Sequence, residues 1–368
     1  MYLKNLTAVN FKNFQEVVLE FVPRLNCFIG DNGAGKTNLL DAIYYLSFTK
    51  SFFNSVDYMN VRHGENWFML KGLYDRTGQE EEIICSYQDS QKKQIKRNGK
   101  VYRKMSEHIG LLPLVMVSPG DSILIMGGSE ERRRFMDGVI SQFDSGYLHD
   151  LIRYNRVLMQ RNNLLKQAAQ GQYSDSEVID VYDEQLSEAG AKIYERRKSF
   201  IHDMVPVFQK YYSIISKGVE VVGLEYLSDL SSGLMYDQLK ATYARDKVVQ
   251  YTTSGIHKDD MNLILGEHPM KKIGSQGQQK TFLIALKLAQ FEFIANVSGL
   301  KPILLLDDIF DKLDKNRVEQ IVKLVSGDQF GQIFITDTNR EHLDAILRSV
   351  TSDYRLFIVT NGKTERMS

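Results

Sequence analysis

The sequence predicts an α/β fold of the phosphate-loop type, one split domain with a mixed sheet and an inserted helical subdomain. Three observations carry that expectation. Gly30-Asp31-Asn32-Gly33-Ala34-Gly35-Lys36-Thr37 fits the pattern G-x-x-x-x-G-K-[ST] at every fixed position. The apolar run Ile303-Leu304-Leu305-Leu306 ends in the paired carboxylates Asp307-Asp308. Between these two segments, from Ser129 onward, long patterns of helical period take over. The expected division is 1–125 for the first part of the phosphate-loop lobe, 126–245 for the helical insertion and 246–368 for the second part of the lobe.

Taken in order, Leu3, Thr7, Val9 and Phe11, then Val17, Leu19 and Phe21, occupy odd positions either side of Asn13-Phe14-Gln15. That alternation predicts two meandering strands that turn at Asn13. Leu25 to Ile29 is a buried strand leading into the phosphate loop, and Leu39, Leu40, Ile43 and Leu46 give the following helix its apolar spacing. Trp67–Tyr74 and Glu82–Tyr87 read as further strands. Gln91–Lys104 holds Lys92, Lys93, Lys96, Arg97, Lys100, Arg103 and Lys104 without an acid, around the hairpin signal Asn98-Gly99.

In the insertion, Ser129 before Glu130 and Glu131 reads as a helix cap with acids in the first turn. Leu148, Ile152, Asn155, Leu158 and Leu165 would line one helix, and Tyr182, Leu186, Ala189, Ile193, Phe200 and Met204 a second, with a loop over 168–175. This is a short helical hairpin without the sustained heptads of a coiled-coil arm. Strand-like alternation resumes around Gly218–Leu224 and Val248–Thr253, a helix is expected from Gln279 to about Ile294, and Gln332–Ile335 and Tyr354–Val359 are strands.

Composition narrows the function class. Lysine plus arginine equals aspartate plus glutamate, 46 against 46, so any nucleic-acid site must be a local patch. Cys27 and Cys85 form no C-x-x-C arrangement, which argues against a disulfide framework or a zinc site and suits a reducing compartment. The N-terminus lacks a signal-peptide pattern and no run approaches bilayer-spanning length, so a cytoplasmic protein with no membrane partner is expected.

The motif chemistry points to a nucleoside triphosphate. Gly30, Gly33 and Gly35 let successive N–H groups turn onto a phosphate chain, and the helix that begins near Lys36 adds its positive end. Lys36 can reach the β- and γ-phosphates, and the Thr37 hydroxyl can ligate Mg²⁺. Asp307 would hold Mg²⁺ through water opposite Thr37, and Asp308 would orient the attacking water. The catalytic set is therefore Lys36, Asp307 and Asp308, the metal set is Thr37 and Asp307, and the cofactors are ATP and Mg²⁺.

Gly274-Ser275-Gln276-Gly277-Gln278-Gln279-Lys280 resembles the signature motif of ABC-type ATPases, in the variant S-Q-G-Q-Q. In that superfamily the signature loop of one subunit closes on the γ-phosphate held by another, which would make Ser275, Gln276, Gly277 and Gln278 nucleotide-binding residues. Asp311-Lys312-Leu313-Asp314 then stands where the D-loop would touch a partner. The order of Phe11-Lys12-Asn13-Phe14, Gly30 to Thr37, Gly128 to Asp137, Gln160 to Lys166, Gly255 to Asp260, Ser275 to Lys280 and Leu305 to Asp308 resembles the RecF family of bacterial recombination proteins over nearly the whole chain.

That resemblance implies an ABC-type head like those of SMC and Rad50, without their long arms. It implies a weak, DNA-stimulated ATPase used as a switch. Such a protein forms a homodimer on ATP, grips single-strand and duplex DNA at junctions, and acts with RecO and RecR to help load RecA. The alternatives are the ATPase subunit of a membrane transporter and a Rad50-like nuclease partner. Departures from the ABC pattern are Gly274 where leucine is usual, Asp308 where glutamate is common, and Thr336-Asp337-Thr338 without a switch histidine.

Several charged groups admit two readings. The basic hairpin could track phosphate or guard an exposed sheet edge. Arg132-Arg133-Arg134, and likewise Arg153, Arg156 and Arg161, could meet DNA or form ion pairs. His257 could approach the nucleotide or be structural. By analogy with related heads, Lys12 and Asn13 would lie over the adenine or ribose.

Overall fold

A computed structural model describes residues 1–54, 56–171, 176–218, 220–310, 313–325, 327–338 and 354–367. The chain opens with β1 (Tyr2–Phe11), β2 (Phe14–Glu20), β3 (Leu25–Ile29) and α1 (Lys36–Phe48). Strands β4 (Trp67–Arg76), β5 (Gln79–Gln88), β6 (Gln94–Arg97), β7 (Lys100–Val101) and β8 (Leu114–Val117) follow. Next come α2 (Ile123–Met126), α3 (Ser129–Ile140), α4 (Ser145–Ala169), α5 (Ser176–Ser216), β9 (Val222–Leu227) and α6 (Met235–Val249). After β10 (Asp260–Leu265), β11 (His268–Pro269) and α7 (Met270–Ile273), the long α8 (Gln276–Ser298) leads to β12 (Ile303–Asp307). The described chain ends with α9 (Lys315–Val325), β13 (Ile333–Asp337), β14 (Tyr354–Thr360) and β15 (Lys363–Met367).

Two compact units result. The first comprises Met1–Asp121, Tyr211–Val219 and Ser275–Ser368, and the second Ser122–Lys210 and Glu220–Gly274. The division thus falls within α5, and the second unit extends to Gly274, whereas the sequence reading returns to the lobe at 246.

The first unit holds two six-stranded sheets. One runs β2-β1-β4-β5-β6-β7 and is antiparallel. The other runs β15-β14-β3-β13-β12-β8, parallel except for β15. Helix α1 lies between them, and Leu39, Leu40, Ile43 and Leu46 share one core with Leu6, Phe68 and Leu70 of one sheet and Phe28, Leu305 and Phe334 of the other. Strands β12 and β13 are buried at every position, as expected for parallel strands covered on both faces.

The predicted alternation in β1 changes phase. Leu3 is buried, but beyond it Leu6 and Ala8 face the core while Thr7 and Val9 are only half-buried. A register shift between Leu3 and Asn5 inserts one residue and flips the faces that follow. In β2 the odd positions Val17 and Leu19 point inward as predicted.

Helix α8 passes as a membrane span by length and composition, against the expectation that no run does, yet 72% of its most apolar window is buried within the protein. It packs on β8 as a core helix.

The second unit is built from α2, α3, α4, most of α5, α6, α7 and the small sheet β11-β10-β9. Helices α4 and α5 have 25 and 41 residues, so the second is longer than the short hairpin expected, at roughly 60 Å. The inward face of α4 is Tyr147, Tyr154, Val157, Arg161 and Leu165; of the predicted set only Leu165 is on it, and Ile152 is 49% exposed. The apolar pattern is misleading because an arginine and two tyrosines hold the buried stripe. On α5 the predicted Leu186, Ala189, Ile193, Phe200 and Met204 are buried. Val248–Thr253 is not a strand: α6 runs to Val249 and Gln250 ends it in the left-handed region. Gly128, not Ser129, occupies the cap position of α3.

Candidate nucleotide site

The site begins with backbone geometry in the first unit. Gly35 has φ 117°, and a side chain there would meet the Asn13 amide at 2.5 Å, so both the turn and the packing require glycine. Gly30 has no such dihedral, but a Cβ would lie 2.2 Å from the Val359 carbonyl oxygen. Two neighbouring turns buttress the loop. Asn13 Nδ2 donates to the Ala34 carbonyl at 3.0 Å, Asn13 Oδ1 accepts from Asn38 Nδ2 at 2.7 Å, and the Gly362 N–H donates to the same Ala34 carbonyl at 3.1 Å.

Parallel register then brings the second motif alongside. Phe28 of β3 pairs with Thr336 of β13, and Thr336 pairs with Asp307 of β12, so the strand ends lie level, where open α/β sheets place their ligands. Thr37 Oγ1 donates to Asp307, 2.9 Å from Oδ1 and 3.1 Å from Oδ2. Thr336 Oγ1 donates to Asp307 Oδ1 at 2.7 Å and accepts the Asp308 backbone N–H at 3.1 Å. Asp308 itself has φ 47°, a left-handed conformation that Asp tolerates better than most residues. Asn32, Gly33, Gly35, Lys36, Thr37, Asn38, Asp307, Asp308 and Thr336 line one recess.

Lys36 Nζ bends back onto the carbonyls of Gly30 and Asp31 at 2.6 and 2.9 Å. Burial lowers its pKa, against the pull of Asp308, Asp307 and Asp31. Burial also raises that of Asp307, against the hydrogen bonds from Thr336 and Thr37. Both shifts disfavour charge, because burial outweighs the partners that each group has. Two hard oxygen ligands, Thr37 and Asp307, stand within hydrogen-bonding distance of each other, a donor set that fits Mg²⁺. Among the described residues no cluster of three or more His, Cys, Asp or Glu could hold a metal unaided, so phosphate oxygens would have to complete the shell.

The signature segment lies elsewhere on the first unit. Ser275 caps α8: its Oγ accepts the Gln278 N–H at 3.3 Å, and Gln278 Oε1 accepts the Ser275 N–H at 2.7 Å. Ser275 and Gln276 are exposed, Gly277 and Gln278 are half-buried, and none of the four lines the recess. Of the D-loop segment, Asp311 and Lys312 lie outside the described residues.

Other candidates fall away from the recess. Lys12 Nζ pairs with buried Asp41 at 2.5 Å. Sequence reasoning missed Asn38, Thr336 and the Asn361-Gly362 turn, because only the register shows that they meet the loop. In the second unit, Arg132 pairs with Asp260, Arg133 donates to the Asp259 carbonyl, and Arg161 is fully buried between Asp183 and Asp246. Arg153 pairs with Glu188. His257 is a structural residue, bonded to the Tyr154 hydroxyl and the Thr252 carbonyl. On the basic hairpin, Lys93 pairs with Asp57 and Arg97 with Glu81, while Lys92, Lys100, Arg103 and Lys104 are exposed.

Comparison with known proteins agrees with this geometry. The family model of the RecF/RecN/SMC N terminal domain matches residues 2–365. The DNA replication and repair protein RecF of Bacteroides fragilis strain YCH46 is 54% identical over 368 residues, covering 100% of this chain and 99% of the relative. That of Flavobacterium johnsoniae is 49% identical, covering 97% and 99%. The solved structure of the recombination mediator protein RecF-ATP in the RecFOR pathway superposes with a TM-score of 0.90 at 31% identity, covering 100% and 98%. An Smc head bound to the C-winged helix domain of ScpA matches at 0.60 and 15% identity, a likeness of fold alone. The fold is that of an ABC-type ATPase head, and the chain belongs to the RecF family.

Proposed function

We propose that this chain is an ATP-dependent DNA-binding protein of recombinational repair and replication restart. It works in the cytoplasm as a homodimeric clamp on duplex and single-strand DNA, and with RecO and RecR it helps to load RecA. Full-length relatives named as DNA replication and repair proteins support the biological role. The observation that carries the mechanism is the separation of the two half-sites. Lys36, Thr37, Asp307 and Asp308 converge in one recess, while the Ser275 turn stands exposed outside it. A second copy can bring its own Ser275–Gln278 turn to that recess.

In this reading the amides of Gly33 to Lys36 cradle the phosphate chain, and Lys36 exchanges its two loop carbonyls for the β- and γ-phosphates. Thr37 and Asp307 would hold Mg²⁺, which supplies charge neutralisation at the phosphates. Asp308 orients the attacking water, and its carboxylate is one methylene shorter than the glutamate common in transporters, which suits slow turnover. The partner's Ser275 hydroxyl and the first-turn amides of its α8 meet the γ-phosphate, so closure depends on ATP rather than ADP.

DNA affinity measured against salt, with and without ATP, on duplex, single-strand and junction substrates tests the reading. ATP-dependent binding with a steep salt slope is expected. Lys36→Ala should lose nucleotide binding. Asp308→Asn should bind ATP and accumulate dimer, since asparagine tolerates the left-handed backbone and the change isolates the charge. A chain that stays monomeric in sedimentation at every ATP concentration would overturn the clamp.

A further inference from the structure

The residue that occupies the open side of the signature glycine is Arg317, in the first turn of α9. A Cβ built on Gly277 would lie 2.8 Å from Arg317 Nη1, so the guanidinium rests on the glycine where any side chain would be. The arginine is anchored at its own backbone, where Asp314 Oδ1 accepts its N–H at 3.0 Å, and Asp314 Oδ2 stands 3.3 Å from Nη1. Asp314 is about half exposed and the arginine side chain is 23% exposed, so this is a weakly neutralised cation.

Its position is electrostatically costly in the isolated chain. A guanidinium in the first turn of α9 and against the first turn of α8 sits at the positive ends of two helices, where cations are disfavoured. Arg161 and Arg197, by contrast, each have two carboxylates. An approaching polyanion reverses the sign of the problem. It would be drawn at once by the Ser275 hydroxyl, the open amides of Gln276 and Gly277, and a fork of N–H donors suited to phosphate oxygens.

We infer that Arg317 is a phosphate-binding residue acting in trans, a third component of the signature side that meets the triphosphate held by a second copy. A methyl group at Gly277 would have to push the flexible end of Arg317 aside from this position. The inference rests on the clamp proposed above and adds to it the residue that senses the γ-phosphate from the opposite copy.

The test uses the full chain in the Asp308→Asn background, with ATP and Mg²⁺, and reads dimer formation by sedimentation. Arg317→Gln should weaken ATP-driven dimerisation by at least about tenfold. Binding of a fluorescent ATP analogue to the monomer should not change, and the melting temperature without nucleotide should not fall. Arg317→Lys should fall between wild type and Gln, since it keeps the charge and loses the fork. Gly277→Ala should imitate Arg317→Gln, and the double variant should be no worse than either single one. Undiminished dimerisation of Arg317→Gln, Lys and Gln variants equally impaired, or independent losses in the double variant would each overturn the inference. If Asp308→Asn with Arg317 intact never dimerises, the clamp itself fails and this role goes with it.

Discussion

Arg161 and Arg197 in the helical unit are each enclosed by carboxylates, whereas Lys36 in the phosphate-loop unit donates to the carbonyls of its own loop. Arg161 Nε and Nη1 lie 2.6 and 2.7 Å from Asp183 and Asp246, and Arg197 joins Asp137 to Asp259. These charges are neutralised by the fold and tie α4 to α5 and α6, and α5 to α3. Lys36, Asp307 and Arg317 are the opposite case: Lys36 is held by carbonyls, Asp307 by hydroxyls, and Arg317 by one half-exposed carboxylate. Runs of arginine looked like nucleic-acid contacts in sequence, yet most in the second unit are spent on internal ties. A cation is a ligand-site candidate when it is positioned and its partners in the fold are carbonyls or a single exposed carboxylate.

The largest effect should come from breaking an internal tie. Arg161→Ala leaves Asp183 and Asp246 buried and facing each other, so it should cost about 3 to 5 kcal/mol. Urea unfolding followed in parallel with Lys36→Ala checks the comparison. The lysine variant, whose site is built for a ligand, should unfold within about 1 kcal/mol of wild type. Equal losses in the two variants would erase the distinction between the units.

A second tie responds to pH. Thr252 offers a carbonyl, so His257 Nε2 must carry the proton and Nδ1 accepts from the Tyr154 hydroxyl. Burial draws the histidine pKa from 6.5 down to about 4, with Lys258 and Arg133 adding to it. The unfolded chain therefore takes up this proton before the folded one. Stability rises with pH between about 4 and 6.5 and is lost as pH falls through that window. The drop corresponds to about 3 kcal/mol at most. His257→Gln should flatten the melting temperature across this range, and an unchanged profile would show that other groups set it.

The parts of the molecule legible in sequence were those whose signal is local. The strand, loop and helix from Leu25 to Phe48 and the buried run Ile303 to Asp307 could be read because motif and periodicity sit in one stretch. The phase of β1 could not, since one inserted residue at Leu3/Asn5 turns Leu6 and Ala8 to the core in place of Thr7 and Val9, although Phe11 is buried as predicted. The inward face of α4 was hidden because charge predicts exposure, and Arg161 is buried only through partners 22 and 85 residues away. The same distance problem concealed Thr336 and Arg317. Both earn their positions from register and packing, which no window of sequence contains.

Asn13 offers the finest probe of how the two plans differ, because it is a neutral tie placed inside the ligand-built unit. Its amide nitrogen holds the Ala34 carbonyl, its oxygen holds Asn38, and its own carbonyl lies 2.5 Å from where a Cβ of Gly362 would be. These bonds fix the loop through Ala34 and Asn38, and they commit the residue to the loop itself. Asn13→Ala removes two hydrogen bonds at the cost of about 1 kcal/mol, expected as a roughly fivefold loss of ATP affinity with little change in melting temperature. Asn13→Asp should be worse, because an acceptor-only carboxylate would face the Ala34 carbonyl without a donor. Titration of a fluorescent ATP analogue separates these outcomes. Equal affinity in all three chains would mean that the glycines alone hold the loop in its phosphate-binding shape.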